Sequence, residues 1–165
     1  MEAPELYWVE IPGPGRLAIM PCPNGGEALQ EHVESLRREG VQVLVSLLEE
    51  HEVEELEVGR EAELCRQAEI EFLSHPIPDH GVPPSVESTA IFTRDLADRM
   101  AAGRAVAIHC LAGIGRSALV AGAALMTRGM ALPAALEALA EARGFAVPET
   151  PDQFRWLERL AREAF

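Results

Sequence analysis

One stretch decides the fold: Ile108-His109-Cys110-Leu111-Ala112-Gly113-Ile114-Gly115-Arg116-Ser117. It joins the apolar run 105–108 to the segment 117–127, which is rich in alanine and apolar on nearly every side. The run predicts a fully buried strand, and the segment predicts a helix buried on most faces. The stretch therefore lies at a strand-to-helix turn, where the free N–H groups and the positive dipole end of the helix suit an anion and favour a thiolate. We expect a phosphate-binding loop with Cys110 as its nucleophile, curled tightly because Gly113 and Gly115 lack side chains.

Strands and helices alternate along the rest of the chain. The turn Pro12-Gly13-Pro14-Gly15 separates two apolar runs and predicts an antiparallel hairpin at a sheet edge. The acidic stretch 49–71 predicts one or two short helices with a solvated face, and a docking surface for a partner is the alternative. Strands are expected at 7–11, 17–20, 41–48, 72–75 and 105–108, and helices begin near Leu29, Ser85, Ser117, Pro133 and Thr150.

This alternation indicates an α/β fold with a mostly parallel central sheet of about five strands, flanked by helices on both faces. The hairpin extends the sheet as a mixed edge. The strand before Cys110 is expected at the centre, because it is short and wholly apolar, and the C-terminal ends of such strands are where these sheets bind ligands. The phosphate loop would then connect the central strand to a buried helix, and residues 1–165 would form one domain.

Composition restricts the partners. The formal net charge of −13 weighs against nucleic acid or an anionic membrane, because the long-range field repels both. The scattered residues Cys22, Cys65 and Cys110 fit neither a disulfide framework nor a zinc site with paired cysteines. The first residues lack the pattern of a secretory signal, and the longest apolar run is too short to span a bilayer. We expect a cytoplasmic protein that acts as a monomer.

The spacing of Cys110 and Arg116 carries the chemistry. Five residues separate them, so the guanidinium can lie over the same anion that faces the sulfur. The loop from Leu111 through Ala112, Gly113 and Ile114 to Gly115 and Arg116 would hold the three non-bridging oxygens of a phosphoryl group with its amides and the guanidinium fork. The Ser117 hydroxyl would stabilise the thiolate, and His109 would support the loop from beneath.

A proton donor is still required. The proline-rich loop 76–84, which we call the acid loop, contains Asp79. Asp79 is our candidate for the general acid of the first step and the base of the second. The thiolate would form a cysteinyl-phosphate, which divides one difficult displacement into two easier ones. The scheme needs no metal ion and no cofactor.

Three segments carry a family resemblance: Gly40-Val41-Gln42, His75-Pro76-Ile77-Pro78-Asp79-His80-Gly81, and the stretch from His109 to Ser117. With them the chain resembles the cysteine-dependent dual-specificity protein phosphatases, most of all their kinase-associated phosphatase branch. The resemblance runs from Leu17 to Leu160. It implies hydrolysis of phosphotyrosine, phosphoserine and phosphothreonine in proteins. The resemblance also implies a role for each matching residue: Cys110 would be the nucleophile, Arg116 the phosphate clamp, Ser117 the leaving-group helper and Asp79 the general acid.

The chain also departs from its relatives. Tyrosine-specific enzymes have a tryptophan before the acid-loop proline and an aromatic recognition loop, and the absence of both implies a shallower site. Related phosphatases position the hydrolytic water with a Gln-Thr-x-x-Gln segment, where this chain has Glu149-Thr150-Pro151-Asp152-Gln153. Gln153 is then either a helix cap or a water-positioning residue.

Other interpretations remain open. The loop could bind phosphate without turnover, or the substrate could be a phosphoinositide or an RNA 5′-phosphate, which the acidic chain disfavours. His75, Asp79, His80 and His109 could form a metal site, although their spacing matches no known ligand pattern. Cys65 could form a protective disulfide with Cys110, as in some relatives, or be a buried structural thiol.

Overall fold

The computed structural model describes residues 5–164 and is built around a five-stranded sheet in the order β1-β2-β5-β3-β4. The pair β1–β2 is antiparallel, and the other three neighbouring pairs are parallel. The strands are β1 (Tyr7–Val9), β2 (Arg16–Met20), β3 (Val43–Ser46), β4 (Glu71–Ser74) and β5 (Ala105–His109). The edge hairpin and the central position of the strand before Cys110 are thus confirmed.

The helices connect these strands and cover both faces of the sheet. They are α1 (Leu29–Arg38), α2 (Glu50–Glu55), α3 (Glu61–Gln67), α4 (Val86–Ala101), α5 (Arg116–Thr127), α6 (Leu132–Arg143) and α7 (Pro151–Ala164). Helix α4 begins where expected, because the Ser85 hydroxyl caps it by accepting from the Ser88 N–H at 3.1 Å. The strands and helices therefore alternate as the sequence predicts.

Two apolar cores lie on opposite faces of the sheet, as the alternation of side chains along β5 requires. Val106 and Ile108 pack in a core with α4, α5, α6 and α7. Ala107, between them, packs in a second core with α1 and α3. Helix α5 is buried from Arg116 to Met126, which agrees with its uniformly apolar sequence. The predicted α/β class, with helices on both faces, is confirmed.

The acidic stretch differs from the prediction. It forms the two short helices α2 and α3, but Glu52 and Glu61 are buried rather than solvated. Both carboxylates pair with cations near the phosphate loop, and these pairs offset the cost of removing the charges from water. The prediction of a solvated face is therefore wrong for these two residues.

The disulfide alternative for Cys65 is also wrong. Cys65 belongs to the core of α1 and α3, whereas Cys110 belongs to the core of α4 and α5. All three cysteines are free. Burial, with a contribution from the Glu61 charge, raises the pKa of Cys65 to about 12, so this thiol stays protonated and inert.

Within residues 5–164, none of the helices combines the length and the apolar character that crossing a membrane requires.

Candidate active site

The loop Cys110–Gly115 leaves the C-terminal end of the central strand β5 and leads directly into α5. Gly113 has a φ of 75°, and a Cβ at this position would lie 2.6 Å from the backbone carbon of Met20. Only glycine fits both the positive φ and the close approach. The Cys22 N–H donates to the Leu111 carbonyl at 3.0 Å and continues the β2–β5 pairing into the loop. The loop is thus held against the sheet at two points.

Cys110 lies at the base of a small pocket. Its side chain is buried, and its thiol donates to the Ser117 Oγ at 3.4 Å. When the sulfur is a thiolate, the same hydroxyl can turn and donate to it, since a serine oxygen is both donor and acceptor. The pocket is lined by Asp79, His80, Cys110, Leu111, Ala112, Gly115, Arg116 and Glu149.

Arg116 is clamped from behind by a buried carboxylate. Its two terminal nitrogens donate to both oxygens of Glu52, at 2.7 and 2.9 Å, and the residue is only 2% exposed. Burial would raise the pKa of Glu52, but hydrogen bonds from Arg116 and from the Glu49 N–H, with the Arg116 charge, outweigh it and hold the pKa below its usual value. The fork geometry fixes the plane of the guanidinium before any anion arrives.

Asp79 contacts the same guanidinium from the pocket side. Its Oδ1 accepts from Arg116 Nη2 at 3.1 Å, and the Ile77 carbonyl accepts from Nη1 at 2.9 Å. With the two bonds to Glu52, every hydrogen on the terminal nitrogens of Arg116 has an acceptor. The Asp79 carboxylate therefore lies where an oxyanion would bind, and a phosphoryl oxygen would have to replace it.

His80 sits between two carboxylates at the rim of the pocket. Its Nδ1 is 3.3 Å from the Glu149 Oε2, and its Nε2 is 3.5 Å from the Asp79 Oδ2. Its φ of 58° turns the backbone so that its own N–H donates to the Asp79 Oδ1 at 3.0 Å. The imidazole thus links the acid loop to the segment that precedes α7.

Gln153 is buried, and both ends of its amide are engaged. The oxygen accepts from the Thr150 N–H at 3.1 Å, and the Gln153 N–H donates to the Thr150 Oγ1 at 3.1 Å, which is the predicted capping box. The amide nitrogen donates to the Gly81 carbonyl at 3.1 Å. Gln153 therefore caps α7 and ties that helix to the loop that carries Asp79.

Beneath the loop lies a buried ion pair. The His109 Nε2 is 2.7 Å from the Glu61 Oε2, and its Nδ1 is 3.3 Å from the Cys110 carbonyl oxygen. Burial would lower the pKa of His109, but the Glu61 charge and the hydrogen bonds that the imidazole donates to Cys22 and Glu61 raise it to about 10. The imidazole is therefore a cation at neutral pH and can donate from both nitrogens.

The alternative metal site, formed by His75, Asp79, His80 and His109 together, is not found among the described residues. His75 stacks on Phe92, with ring centroids 4.3 Å apart, and hydrogen-bonds Thr89 at 2.9 Å, while His109 pairs with Glu61. Among residues 5–164, the one group of three such ligand atoms within 4.8 Å of one another is Glu49, His51 and Glu52. The Glu52 carboxylate in that group already holds Arg116.

Three residues that contact the site were not predicted from the sequence: Glu52, Glu61 and Arg143. Glu52 and Glu61 lie in the acidic stretch 49–71, where no sequence pattern distinguishes a buried glutamate from an exposed one. Arg143, at the end of α6, donates to the carbonyls of Gly113 and Ala112. The spacing of Glu49 and Glu52 fits a capping box and indicates a helix start, but it does not indicate a partner for Arg116.

A larger open hollow lies elsewhere, along the start of α1 and the α2–α3 connection. It is lined by Gly26, Glu27, Leu29, Gln30, Glu57, Gly59, Arg60 and Leu64. None of these side chains is a cysteine, serine or histidine, so the convergence of reactive groups, rather than size, places the candidate site at Cys110.

A buried thiol at a strand-to-helix loop, an arginine clamped beside it and an aspartate on a facing loop define the class of cysteine-dependent phosphatases. The family model "Tc-R-P: Polymorphic toxin system, DSP-PTPase phosphatase" matches residues 18–130, which is more than half of the chain. The chain therefore belongs to this family of dual-specificity phosphatases.

Individual relatives agree with the resemblance to the kinase-associated phosphatase branch. The chain is 30% identical over 134 residues to cyclin-dependent kinase inhibitor 3 of Rattus norvegicus, an alignment covering 80% of this chain and 63% of that protein. The human protein of the same name is 28% identical over 134 residues, with the same coverage. The chain thus spans less than two thirds of the length of these curated relatives.

Solved structures agree on the fold. Kinase associated phosphatase with its catalytic cysteine replaced by serine superposes with a TM-score of 0.87 over 98% of each chain, at 23% identity. The active form of Tk-PTP superposes with a TM-score of 0.74 over 95% of this chain and 97% of its own, at 30% identity.

Proposed function

We propose that the chain hydrolyses phosphomonoesters on phosphoproteins, on phosphotyrosine and on phosphoserine or phosphothreonine, through a cysteinyl-phosphate on Cys110. One observation carries the proposal. The Cys110 thiol, the Arg116 guanidinium held by Glu52, and the Asp79 carboxylate converge on one small pocket at the C-terminal end of the central strand. These are the nucleophile, the anion clamp and the proton donor that such a reaction needs.

In the first step, phosphoryl oxygens bind the loop amides of residues 111–116 and the Arg116 guanidinium, and they displace the Asp79 carboxylate. The Cys110 thiolate attacks phosphorus as the bond to the ester oxygen breaks. Asp79, freed from Arg116 but still at the rim, takes up a proton from solvent and gives that proton to the departing oxygen. The charge that develops on the equatorial oxygens is stabilised by donors already in place.

In the second step, water attacks phosphorus, the sulfur–phosphorus bond breaks, and Asp79 takes the proton from the water. The Ser117 hydroxyl, 3.4 Å from the sulfur, donates to the departing thiolate. Gln153 contributes by holding the acid loop through Gly81. Glu149 is the residue of the segment 149–153 that lines the pocket. Its carboxylate is therefore our candidate for positioning the attacking water. The scheme uses no metal ion.

The charges around the pocket favour a phosphorylated protein over a polyanion. Among the described residues that line the pocket, Arg116 is the one arginine or lysine, and the rim carries Asp79 and Glu149. A phosphoinositide with further phosphates, or an RNA, would bring extra negative charge against these carboxylates. The kinase in the name of the curated relatives belongs to those proteins, and the proposal does not extend to it.

We further propose that the protein acts as a monomer in the cytoplasm, without nucleic acid or membrane as partner. The net charge of −13 supports the exclusion of both polyanionic partners. Gel filtration with light scattering tests the oligomeric state, and a stable dimer would overturn that part of the proposal.

The direct test is hydrolysis of p-nitrophenyl phosphate by the wild-type protein and by Cys110→Ser, with EDTA present. We expect turnover from the wild type and none from the variant, because serine is a far weaker nucleophile than a thiolate. Cys65→Ala, in the other core, is the matched control and keeps its activity. A folded wild-type protein that binds phosphate but shows no turnover from acidic to neutral pH is a binding module, and the proposal fails.

The substrate class is tested with Asp79→Ala, which binds substrate but lacks the proton donor. Phosphotyrosine, phosphothreonine and phosphoserine peptides, an inositol phosphate and a 5′-phosphorylated RNA are compared as substrates of the wild type and as ligands of the variant. We expect peptides to exceed the two polyanions in kcat/KM. A preference for the inositol phosphate or the RNA would overturn the phosphoprotein assignment while leaving the chemistry intact.

A further inference from the structure

Arg143, the last residue of α6, contacts the phosphate loop from outside the pocket. Its Nε donates to the Gly113 carbonyl at 3.2 Å, and its Nη2 donates to the Ala112 carbonyl at 3.3 Å. The guanidinium carbon lies 4.1 Å from the centre of the Tyr7 ring and 4.9 Å from the centre of the Phe145 ring. Two hydrogen bonds and two cation–π contacts therefore set the position of this side chain.

These two carbonyls determine which way two loop amides point. In a trans peptide the C=O and the N–H of one peptide unit point in opposite directions. The Ala112 carbonyl shares its unit with the Gly113 N–H, and the Gly113 carbonyl shares its unit with the Ile114 N–H. By holding both carbonyls, Arg143 turns both N–H groups toward the side of the loop opposite to its own guanidinium.

The peptide units on either side of Gly113 need an external constraint, because glycine itself does not fix their orientation. Glycine adopts positive and negative φ with similar ease, so the peptide units on either side of it can rotate at low cost. A side chain at this position is excluded by the backbone of Met20. The orientation of the amides must then be set by a neighbour, and Arg143 is bonded to the units on both sides of this glycine.

We propose that Arg143 is a positioning residue that keeps the Gly113 and Ile114 amides turned toward the bound phosphoryl group. Its charge also polarises the two peptide units, which makes their N–H groups better donors. The inference rests on the proposed phosphate site, but it concerns oxyanion binding and does not depend on turnover.

The test separates binding from catalysis. Calorimetry measures the affinity of the Cys110→Ser protein for inorganic phosphate, which this protein binds without turnover. Adding Arg143→Met keeps the apolar stem and removes the donors, and we expect phosphate to bind about tenfold more weakly. Arg143→Lys, which keeps the charge but not the fork, should recover part of the loss. The matched control is Arg128→Met, because Arg128 also donates to a backbone carbonyl, that of Pro14.

Two further measurements exclude a merely structural effect. In the parent, phosphate should shift the amide NMR signals of Gly113 and Ile114, and in Arg143→Met these shifts should shrink while the melting temperature changes no more than in Arg128→Met. Unchanged phosphate affinity in Arg143→Met, or an equal loss in Arg128→Met, would overturn the role of Arg143. If the Cys110→Ser protein with Arg143 intact binds no phosphate, the proposed phosphate site itself fails, and the inference fails with it.

Discussion

At the scale of single residues, the site depends on two buried charges that are each held by one glutamate. Glu52 fixes Arg116 beside the pocket, and Glu61 keeps His109 charged under the loop. Removing one partner of a buried pair leaves the other charge uncompensated, which costs more than the pair contributes. The two glutamates are therefore as important to the pocket as the residues that line it.

Glu52→Gln should lower the free energy of unfolding by about 3 kcal/mol, because the guanidinium of Arg116 stays buried and loses the buried carboxylate that pairs with both of its terminal nitrogens. It should also reduce kcat/KM for p-nitrophenyl phosphate, since the guanidinium loses its fixed plane. Urea denaturation and steady-state kinetics measure the two effects. The exposed neighbour Glu50, changed to Gln, is the control on the same helix. Equal effects of Glu52→Gln and Glu50→Gln would contradict the role of Glu52 in holding Arg116.

Asp79→Asn should have opposite effects on binding and turnover. The substituted amide removes a charged competitor from Arg116 Nη2, so inorganic phosphate should inhibit at several-fold lower concentration. The kcat should fall by about a hundredfold or more, because the proton donor is lost. Inhibition constants and kcat measured on the same preparation test both parts. Weaker phosphate inhibition in the variant would contradict the view that Asp79 competes with the substrate.

The charge on His109 gives a direct titration test. The pKa is raised from 6.5 to about 10, so the ion pair with Glu61 contributes its full stability below pH 6.5 and loses it as the pH rises through about 10. The ¹⁵N shifts of the ring should show an imidazolium at neutral pH, and Glu61→Gln should move the titration to lower pH. Glu63→Gln, on the exposed side of α3, should leave it unchanged. An uncharged His109 imidazole at neutral pH in the wild-type protein would contradict the ion pair between His109 and Glu61.

At the scale of elements, ion pairs also connect helix to sheet away from the pocket. Glu71 at the start of β4 accepts from Arg99 of α4 at 2.7 and 2.9 Å, and from Arg104 before β5 at 2.7 Å. Hydrogen bonds from Arg99 lower the pKa of Glu71 to about 2, with burial opposing them and Arg104 adding to them. This junction joins the edge strand β4 to the helix that follows the acid loop.

Glu71→Gln should lower the unfolding free energy at neutral pH by about 1 kcal/mol, a modest value because the carboxylate is partly exposed. The folded-state pKa is depressed, so the contribution is present above pH 4.5 and is lost as the pH falls toward about 2. Unfolding curves of the wild type and the variant should therefore converge over that range. Glu69→Gln, whose side chain is 81% exposed beside Arg37, is the control. A difference that persists at the acidic end would contradict the ion pair.

At the scale of the whole molecule, the net charge of −13 opposes the approach of any phosphate ester. The field decays over about 10 Å at 0.1 M salt, so added salt should relieve it. We expect kcat/KM for p-nitrophenyl phosphate to rise about twofold between about 10 mM and about 200 mM sodium chloride. A phosphopeptide flanked by arginines should show a smaller rise or a fall. A decrease for the small anionic substrate would contradict repulsion by the whole chain.

The order of the elements and the position of Cys110 at a strand-to-helix turn follow from local pattern alone. The apolar run 105–108, the glycine-containing loop and the apolar segment 117–127 are contiguous, so propensity and periodicity identify the strand, the turn and the helix without knowledge of any distant contact. For the same reason Ser85 and Thr150 indicate helix starts that the structure confirms.

Only the tertiary structure decided which distant side chains bind the residues from His109 to Arg116. Glu52 and Arg116 are far apart in sequence, as are Glu61 and His109, and so are Arg143 and Gly113. An acidic residue in a solvated helix and one that turns inward have the same local pattern, because burial depends on what packs above them. The loop in which the sequence predicts a cysteine nucleophile is therefore held in shape by the side chains of Glu52, Glu61 and Arg143. No local sequence pattern identifies these three residues as its partners.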